Sequence, residues 1–347
     1  MSVAIPPTVT AAGERDRKLE HIELAGERRI QLDSRFFDDW AFEHQALPEI
    51  ALAEVDTACR FLGKPLRAPL LVSCMTGGTG SAQAINRNLA LAAERAGIAL
   101  GVGSQRKALE SPDTAATFEV RSVAPRVPVI ANLGAVQLNY GMGIEDCRRA
   151  VAMVGADALA LHLNPLQEAI QPEGQCDFRG LVAKIGALVR ALEVPVIVKE
   201  IGCGIGAASG RALAEVGVAW IDTAGLGGTS WARIEAARRE DPELGELFAD
   251  WGVPTPDAIR ALASLEGVEV IGSGGVRSGL DVAKAIAMGA SLVGLAQPFL
   301  GPAQHSAEAV FARIERIRHE LEIAMFCSGS PSVGALRRAS LVKRPRR

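Results

Sequence analysis

An α/β chain closed into a (β/α)8 TIM barrel is the fold the sequence predicts, with an N-terminal extension and an insertion after the sixth strand. Three observations carry that expectation. Eight short apolar runs recur along the chain. Each is nearly continuous in Val, Ile, Leu and Ala rather than alternating, the pattern of strands buried on both faces. Helix-like segments separate the runs, whose starts lie mostly 23 to 36 residues apart, as repeated βα units require. An open doubly wound sheet is the alternative. It is disfavoured because no GxGxxG follows the first run, where a dinucleotide-binding fold carries its phosphate turn.

Residues 1–16 are small, polar and proline-containing, and read as a disordered tail. The single barrel domain then spans 17–336. Its extension, 17–67, holds RKLEHIEL and the aromatic cluster RFFDDWAF, enough chain to fold over one end of the barrel. The runs follow in order: APLLVSCM (68–75), IALGVGS (98–104), VPVIANLG (127–134), ALALHLN (158–164), VPVIVKEIG (194–202), AWIDTAG (219–225), VEVIGSGG (268–275) and SLVGLAQP (291–298). The interval between the sixth and seventh is about twice the others and carries the charged insertion GGTSWARIEAARREDPELGELFADWG, suited to a lid or subunit contact. Residues 337–347 are basic and proline-interrupted and read as a second disordered tail.

Hydrophobic residues at 48% and charged residues at 22% are the balance of a globular core, which excludes a disordered chain. With 4% aromatics, a single tyrosine and a net charge of −3, neither base-stacking platforms nor a general attraction to phosphate backbones is present, so no nucleic-acid partner is expected. Six cysteines stand far apart without a CxxC pair, which fits a reduced cytoplasmic compartment better than a disulfide framework or structural zinc. No apolar run is long enough to span a bilayer, so no membrane partner is expected.

In such barrels functional groups sit where strands end, and these ends are polar. GSGGVRSG and the GLAQP that follows read as a phosphate site: Gly274 and Gly275 admit an anion to the backbone, Arg277 can pair with it, and a helix begins near Ser278. An ordinary glycine-rich turn is the bland alternative. Lys199 shares strand parity with Ile197, which aims its ammonium into the barrel mouth unless it only pairs with Glu200. Thr76, Ser104, Asn132 and Thr229 offer short hydrogen-bonding groups suited to a heteroaromatic ring and a ribityl-like chain, although such residues are also common in turns. His162 and Asn164 share parity, with Gln167 and Glu168 just beyond, so an amide and a carboxylate stand side by side over the cavity; a carboxylate there can hold Mg2+ together with substrate phosphate. Taken singly, His162 reads as a core histidine and Glu168 as a helix-start residue. Arg17, Lys18 and His21 of RKLEH, with Gln105 and Arg106 of GSQR, add groups that can reach a diphosphate; a solvated surface is the alternative for the first pair.

The motifs RKLEHI, MTGGT, GVGSQR, ANLGA, HLNPLQEAIQPEG, VIVKEIGCGI, DTAGLGGTSW and GSGGVRSGLDVAKAIAMGA, in this order, closely resemble the type 2, FMN-dependent isopentenyl-diphosphate delta-isomerases over about residues 15–330. The glycine-rich C-terminal piece is shared with other FMN barrels, whereas HLNPLQE, GGTSW and the early RKxxH are more specific. The resemblance implies an isomerase of isoprene biosynthesis that interconverts isopentenyl diphosphate and dimethylallyl diphosphate, uses FMN reduced by NADPH together with Mg2+, and forms a homo-oligomer, a tetramer or octamer. It assigns FMN contacts to Thr76, Ser104, Asn132, Lys199, Thr229, Gly275, Arg277, Ala296 and Gln297, flanked by Met75 and Gly77. It assigns the substrate diphosphate to Arg17, Lys18, Ser104, Gln105 and Arg106. His162 and Asn164 fall on residues lining the site, Gln167 on the active-site glutamine and Glu168 on the Mg2+ ligand. The MFCSGSPSVGAL stretch departs from the family pattern, in which Leu and Thr stand near Cys327 and Ser328.

Two rivals remain. An FMN-dependent α-hydroxy-acid oxidoreductase would carry a catalytic histidine just after the sixth strand, where TAGLGGTSWAR has none. A non-catalytic flavin- or phosphate-binding barrel would not need Gln167 and Glu168.

Overall fold

A computed structural model describes residues 17–344 apart from 34, 79 and 240, and without the side chains of 17–19 and 81. The extension opens with helix α1 (Arg17–Gly26), runs through a 3-10 turn at Phe36–Asp39 into strand β1 (Trp40–Phe42), and continues into an antiparallel hairpin, β2 (Cys59–Phe61) and β3 (Lys64–Leu66).

Eight parallel strands then close a barrel in sequence order: β4 (Leu70–Val72), β5 (Ala99–Gly101), β6 (Val129–Gly134), β7 (Ala158–His162), β8 (Val196–Lys199), β9 (Trp220–Asp222), β10 (Glu269–Ser273) and β11 (Leu292–Leu295). Every predicted run contributes one strand. Their continuous apolar character has the expected cause, since inner and outer faces are both buried.

The outer face packs on helices such as α2 (Gly80–Ala96), whose Ile85, Leu89, Ala92 and Ala96 repeat at helical spacing and are all buried. The inner face closes at the bottom around Leu71, Ala99, Ile130, Ala158, Ile197, Ile271 and Leu292. Phe61 and Leu66 of the hairpin plug that end, with the Phe61 ring edge-on to Trp220 at 4.8 Å. The plug is fastened by Asp157, which pairs with Lys64 at 2.6 Å and Arg121 at 2.8 Å. Burial alone would raise the Asp157 carboxyl, but these cations and the Val129 amide hold it below the ordinary range. With the lower end filled, the cavity lies at the C-terminal mouth.

The remaining helices are α3 (Arg106–Glu110), α4 (Ile144–Val154), α5 (Pro165–Ile170), α6 (Leu181–Ala191), α7 (Ala207–Glu215), α8 (Trp231–Arg238), α9 (Pro242–Leu247), α10 (Thr255–Ala263), α11 (Gly279–Ala287), α12 (Gln297–His305), α13 (Ala307–Cys327) and α14 (Val333–Leu336). The expected insertion after the sixth strand is α8 and α9; α8 lies against α5 and α1 at the mouth, and α9 packs on α8.

The C-terminus corrects one expectation. Residues 337–344 are not a disordered tail: strand β12 (Leu341–Lys343) pairs antiparallel with β1, matching Phe42 with Leu341 and Trp40 with Lys343. The basic composition suggested solvation, yet a sheet edge satisfies backbone groups whatever the side chains, and Trp40 gains cation–π contacts from Arg260 at 4.9 Å and Lys343 at 5.7 Å. The expected tail over 1–16 and the last three residues lie outside the described region.

Candidate functional site

Strand register builds the site. Gly134, His162, Lys199, Asp222 and Ile271 are successive partners across β6 to β10, so these positions form one inward-facing ring. Ile271 and Asp222 are buried, and His162 and Lys199 open onto a cavity at the barrel mouth.

At one end of the cavity the loop after β9 and the turn after β10 touch backbone to backbone. A Cβ on Gly274, at φ +104°, would stand 2.1 Å from the Gly225 oxygen, and one on Gly275, at φ +69°, 2.4 Å from the Gly227 oxygen. Only glycine fits either place. Arg277 braces the turn, donating to the Gly275 oxygen at 3.0 Å and to the Leu32 oxygen at 3.1 Å. Burial, with Arg35 nearby, lowers its guanidinium from the ordinary value, and it remains a cation. The start of α11, expected to offer its dipole, is instead self-capped: Asp281 accepts from the Arg277 and Ser278 amides, and Ser278 caps Asp281 in return. By contrast, α12 has no side-chain cap at Ala296, and Ala296 and Gln297 line the cavity.

The floor is polar and largely buried. The Lys199 ammonium donates to the Glu200 backbone oxygen at 2.6 Å, while the Glu200 carboxylate turns away onto the amides of Ile201, Gly202 and Cys203. The side-chain pair with Glu200, the alternative to a mouth-facing Lys199, is therefore not formed. Burial pushes the Asp222 carboxyl up, against the opposing pull of Lys199 and of hydrogen bonds from Ser273 and Ala224. Burial likewise pushes up the Cys74 thiol. Asn132 Oδ1 lies 3.0 Å from His162 Nδ1. Thr229 meets Gln31, whose amide donates to its hydroxyl at 3.0 Å, stitching the extension to the mouth. The buried Ser73 hydroxyl, on the same floor, finds no partner within the protein.

The opposite wall is a chain of amides and charges. Asn164 Nδ2 donates to Gln167 Oε1 at 3.0 Å and to Glu168 Oε1 at 2.8 Å. Glu168 Oε2 accepts from the Gln175 amide at 2.7 Å and from Gln171. Gln167 Nε2 donates at 2.7 Å to Glu235 of the insertion. Glu235 is fully buried between His21, 3.0 Å away, and Arg238 at 2.6 Å, and Arg238 continues to Glu20 and Glu173. Burial alone would raise the Glu235 carboxyl; His21, Gln167 and Arg238 together hold it below the ordinary range. Asn164 Oδ1 is buried and unpartnered.

Of the residues expected at the site, Met75, Thr76, Ser104 and Arg106 of the first two strand ends line the cavity, as do Asn132, His162, Asn164, Gln167, Glu168, Lys199, Thr229, Gly275, Arg277, Ala296 and Gln297. Two are placed elsewhere. Gln105 is fully buried and turned outward, its amide donating to the Ala150 oxygen at 2.8 Å and accepting from the Asn132 amide at 3.0 Å. Gly77 packs against the Phe118 ring rather than on the cavity. The side chains of Arg17 and Lys18 lie outside those described. The divergent 325–336 stretch does not reach the cavity wall. Sequence reading missed Gln31, Glu235, Arg238 and Gln175; no local pattern marks them, because each acts through a partner distant in the chain.

The cavity fits a flavin nucleotide in kind: a glycine cradle with an arginine for phosphate, short hydroxyl and amide groups along the floor, and two orphaned polar atoms, Ser73 Oγ and Asn164 Oδ1. For a divalent cation the fit is narrower. Among the described residues no three His, Cys, Asp or Glu side chains converge. Glu168 is the carboxylate at the wall, with three of its roughly four lone-pair positions already taken, so a cation there must complete its shell with phosphate and water oxygens.

The family of FMN-dependent dehydrogenases matches residues 174–343. The chain is 49% identical over 333 residues to the isopentenyl-diphosphate delta-isomerase of Synechococcus sp., covering 94% of this chain and 96% of that protein. It is 49% identical over 335 residues to that of Methanothrix thermoacetophila, covering 94% and 92%. Among solved structures, a mandelate oxidase mutant with benzaldehyde superposes with a TM-score of 0.65 at 20% identity, covering 94% of each chain. At that identity the likeness bears on the fold alone.

Proposed function

Because the chain belongs to the FMN-dependent isopentenyl-diphosphate delta-isomerase family, we propose that the barrel mouth interconverts isopentenyl diphosphate and dimethylallyl diphosphate. The observation that carries this reading is the wall formed by Asn164, Gln167 and Glu168, hydrogen-bonded to one another at the cavity. An α-hydroxy-acid oxidoreductase would instead need a histidine in the loop after the sixth strand, where this chain has Gly227, Gly228 and Thr229.

FMN is the family's cofactor, and reduced FMN supplies an exchangeable proton on its ring. The Gly275 turn, Arg277 and the amides at Ala296 and Gln297 would hold its phosphate; Met75, Thr76, Ser104, Asn132 and Thr229 would hold ring and chain, with Gly77 serving only to pack their loop. Lys199 presents an ammonium at the floor and would stabilise negative charge on the ring. Arg106 and Ser104, with Arg17 and Lys18 from α1, would bind the substrate diphosphate, and Glu168 would hold Mg2+ against it. His162 narrows the floor below.

Allylic isomerisation adds one proton and removes another, with no net electron transfer. An amide is too weak a base to remove a proton by itself. Gln167 therefore orients the substrate, and the ionised carboxylate in direct contact with it is Glu235. NADPH is needed on this reading only to reduce the enzyme once. Six free cysteines support a cytoplasmic setting, and the exposed Leu247 and Trp251 of the insertion support assembly into a tetramer or octamer. Among the described residues no helix is long and apolar enough to cross a membrane.

The test is anaerobic turnover of chemically reduced, FMN-loaded protein in deuterated water without NADPH. Many turnovers with solvent deuterium in the product are expected, whereas NADPH oxidised stoichiometrically with product would overturn the reading in favour of a true oxidoreductase.

A further inference from the structure

The loop after α5 joins two groups that line the cavity, Arg106 and Glu168. Gln175 Oε1 accepts from Arg106 Nη1 at 3.2 Å and from Gln137 Nε2 at 2.7 Å. The backbone amide of the same residue donates to Glu168 Oε2 at 2.7 Å. Arg106 and Glu168 both line the cavity, and Gln175 itself does not. The geometry points to Gln175 as a positioning residue that yokes the Arg106 guanidinium to the Glu168 carboxylate, fixing the spacing of the two ends of one diphosphate subsite.

The chain path is specific to that task. A Cβ on Gly174 would stand 1.7 Å from the Glu168 backbone oxygen, so only glycine lets the loop turn this tightly around Glu168 and deliver the next amide to its carboxylate. Cys176, one residue further on, hydrogen-bonds the same backbone oxygen at 3.4 Å. Among the described residues Arg106, for its part, has one other side-chain anchor, Glu110, on its own helix at 2.7 Å. That pair sits at the surface, where i,i+4 pairs contribute little. Without the Gln175 oxygen, the guanidinium would be free to follow Glu110 toward solvent. A diphosphate carrying a divalent cation presents oxygens to the arginine and the cation to the carboxylate, so a bridge of fixed length between them preorganises both contacts before ligand arrives.

This inference rests on the functional reading for its substrate, so its test uses inorganic pyrophosphate with Mg2+ as a probe, alongside isomerase kinetics, all on FMN-loaded protein. Gln175→Met keeps side-chain length and the backbone amide but removes the acceptor. It should weaken pyrophosphate binding and raise KM by about tenfold, the equivalent of ordering one long side chain, while kcat changes less than twofold and FMN stays bound. In an Arg106→Ala background the same change should have no further effect on pyrophosphate binding. Gln175→Ala should behave as Gln175→Met does. Wild-type pyrophosphate affinity in both Gln175 variants would overturn the inference, as would an undiminished effect of Gln175→Met in the Arg106→Ala background, or loss of FMN and kcat in parallel with KM. If the unmodified protein binds pyrophosphate and shows this pattern but does not isomerise, the functional reading fails and the yoke stands.

Discussion

Gln167 donates through Nε2 to Glu235 Oε1 at 2.7 Å, across 68 residues of sequence, and that one hydrogen bond fixes which way this cavity-lining amide faces. A carboxylate can only accept, so the Gln167 amide nitrogen must point at the insertion and its oxygen at Asn164. The insertion thereby sets the orientation of a side chain on α5.

Glu235→Gln should break that polarity, since the new amide can donate as well as accept, and it leaves Arg238 with only its more exposed partners, Glu20 and Glu173. A kcat loss larger than the KM change is expected, with stability lowered by about 2 kcal/mol at neutral pH. The sign of the pH dependence follows from the lowered carboxyl. Its contribution is present above the unfolded value near about 4.3 and is lost as pH falls through the folded value. Denaturant melts at several pH values should therefore show the gap between wild type and variant closing below about pH 4.

Arg277→Ala removes the cation of the glycine cradle and the brace to the Leu32 oxygen. FMN affinity should drop roughly 10- to 100-fold, read by flavin fluorescence on dilution, with the barrel still folded. Full flavin retention would rule out this turn as the phosphate site.

Glu168→Gln removes the charge that would hold Mg2+, and whichever way the new amide turns, its nitrogen faces Asn164 Nδ2 or the two donors from Gln171 and Gln175. The Mg2+ concentration for half-maximal activity should rise at least tenfold, while the absorption spectrum of bound FMN stays unchanged. An unaltered metal titration would exclude Glu168 as the ligand.

Gln31→Ala cuts the bonds from the extension to Thr229 and to the Ala25 oxygen. Hydrogen exchange should accelerate in α1 and over 25–33, and substrate KM should rise several-fold with little change in kcat, because α1 carries Arg17 and Lys18. Unchanged exchange would show that the backbone bridge from Gln31 to Thr229 holds the segment alone.

Strand and helix periods are local properties, so the sequence by itself determined the eight barrel strands, their order, and the faces of His162, Asn164 and Lys199. Their position just past the His162 strand put Gln167 and Glu168 over the cavity, and the resemblance of the motifs implied their roles. Three things waited on tertiary structure. Gln105 follows the end of its strand, where parity no longer dictates direction, and the turn into α3 rotates it into the wall. The C-terminal strand depends on an edge at Trp40–Phe42 that lies some 300 residues earlier in the chain. Finally, His21, Glu235 and Arg238, like Gln175 with Arg106, become partners only once the barrel closes and the extension and insertion fold over its mouth. Hydrogen bonding and charge pairing between such segments depend on distances that ring closure creates, and no local pattern in the chain encodes them.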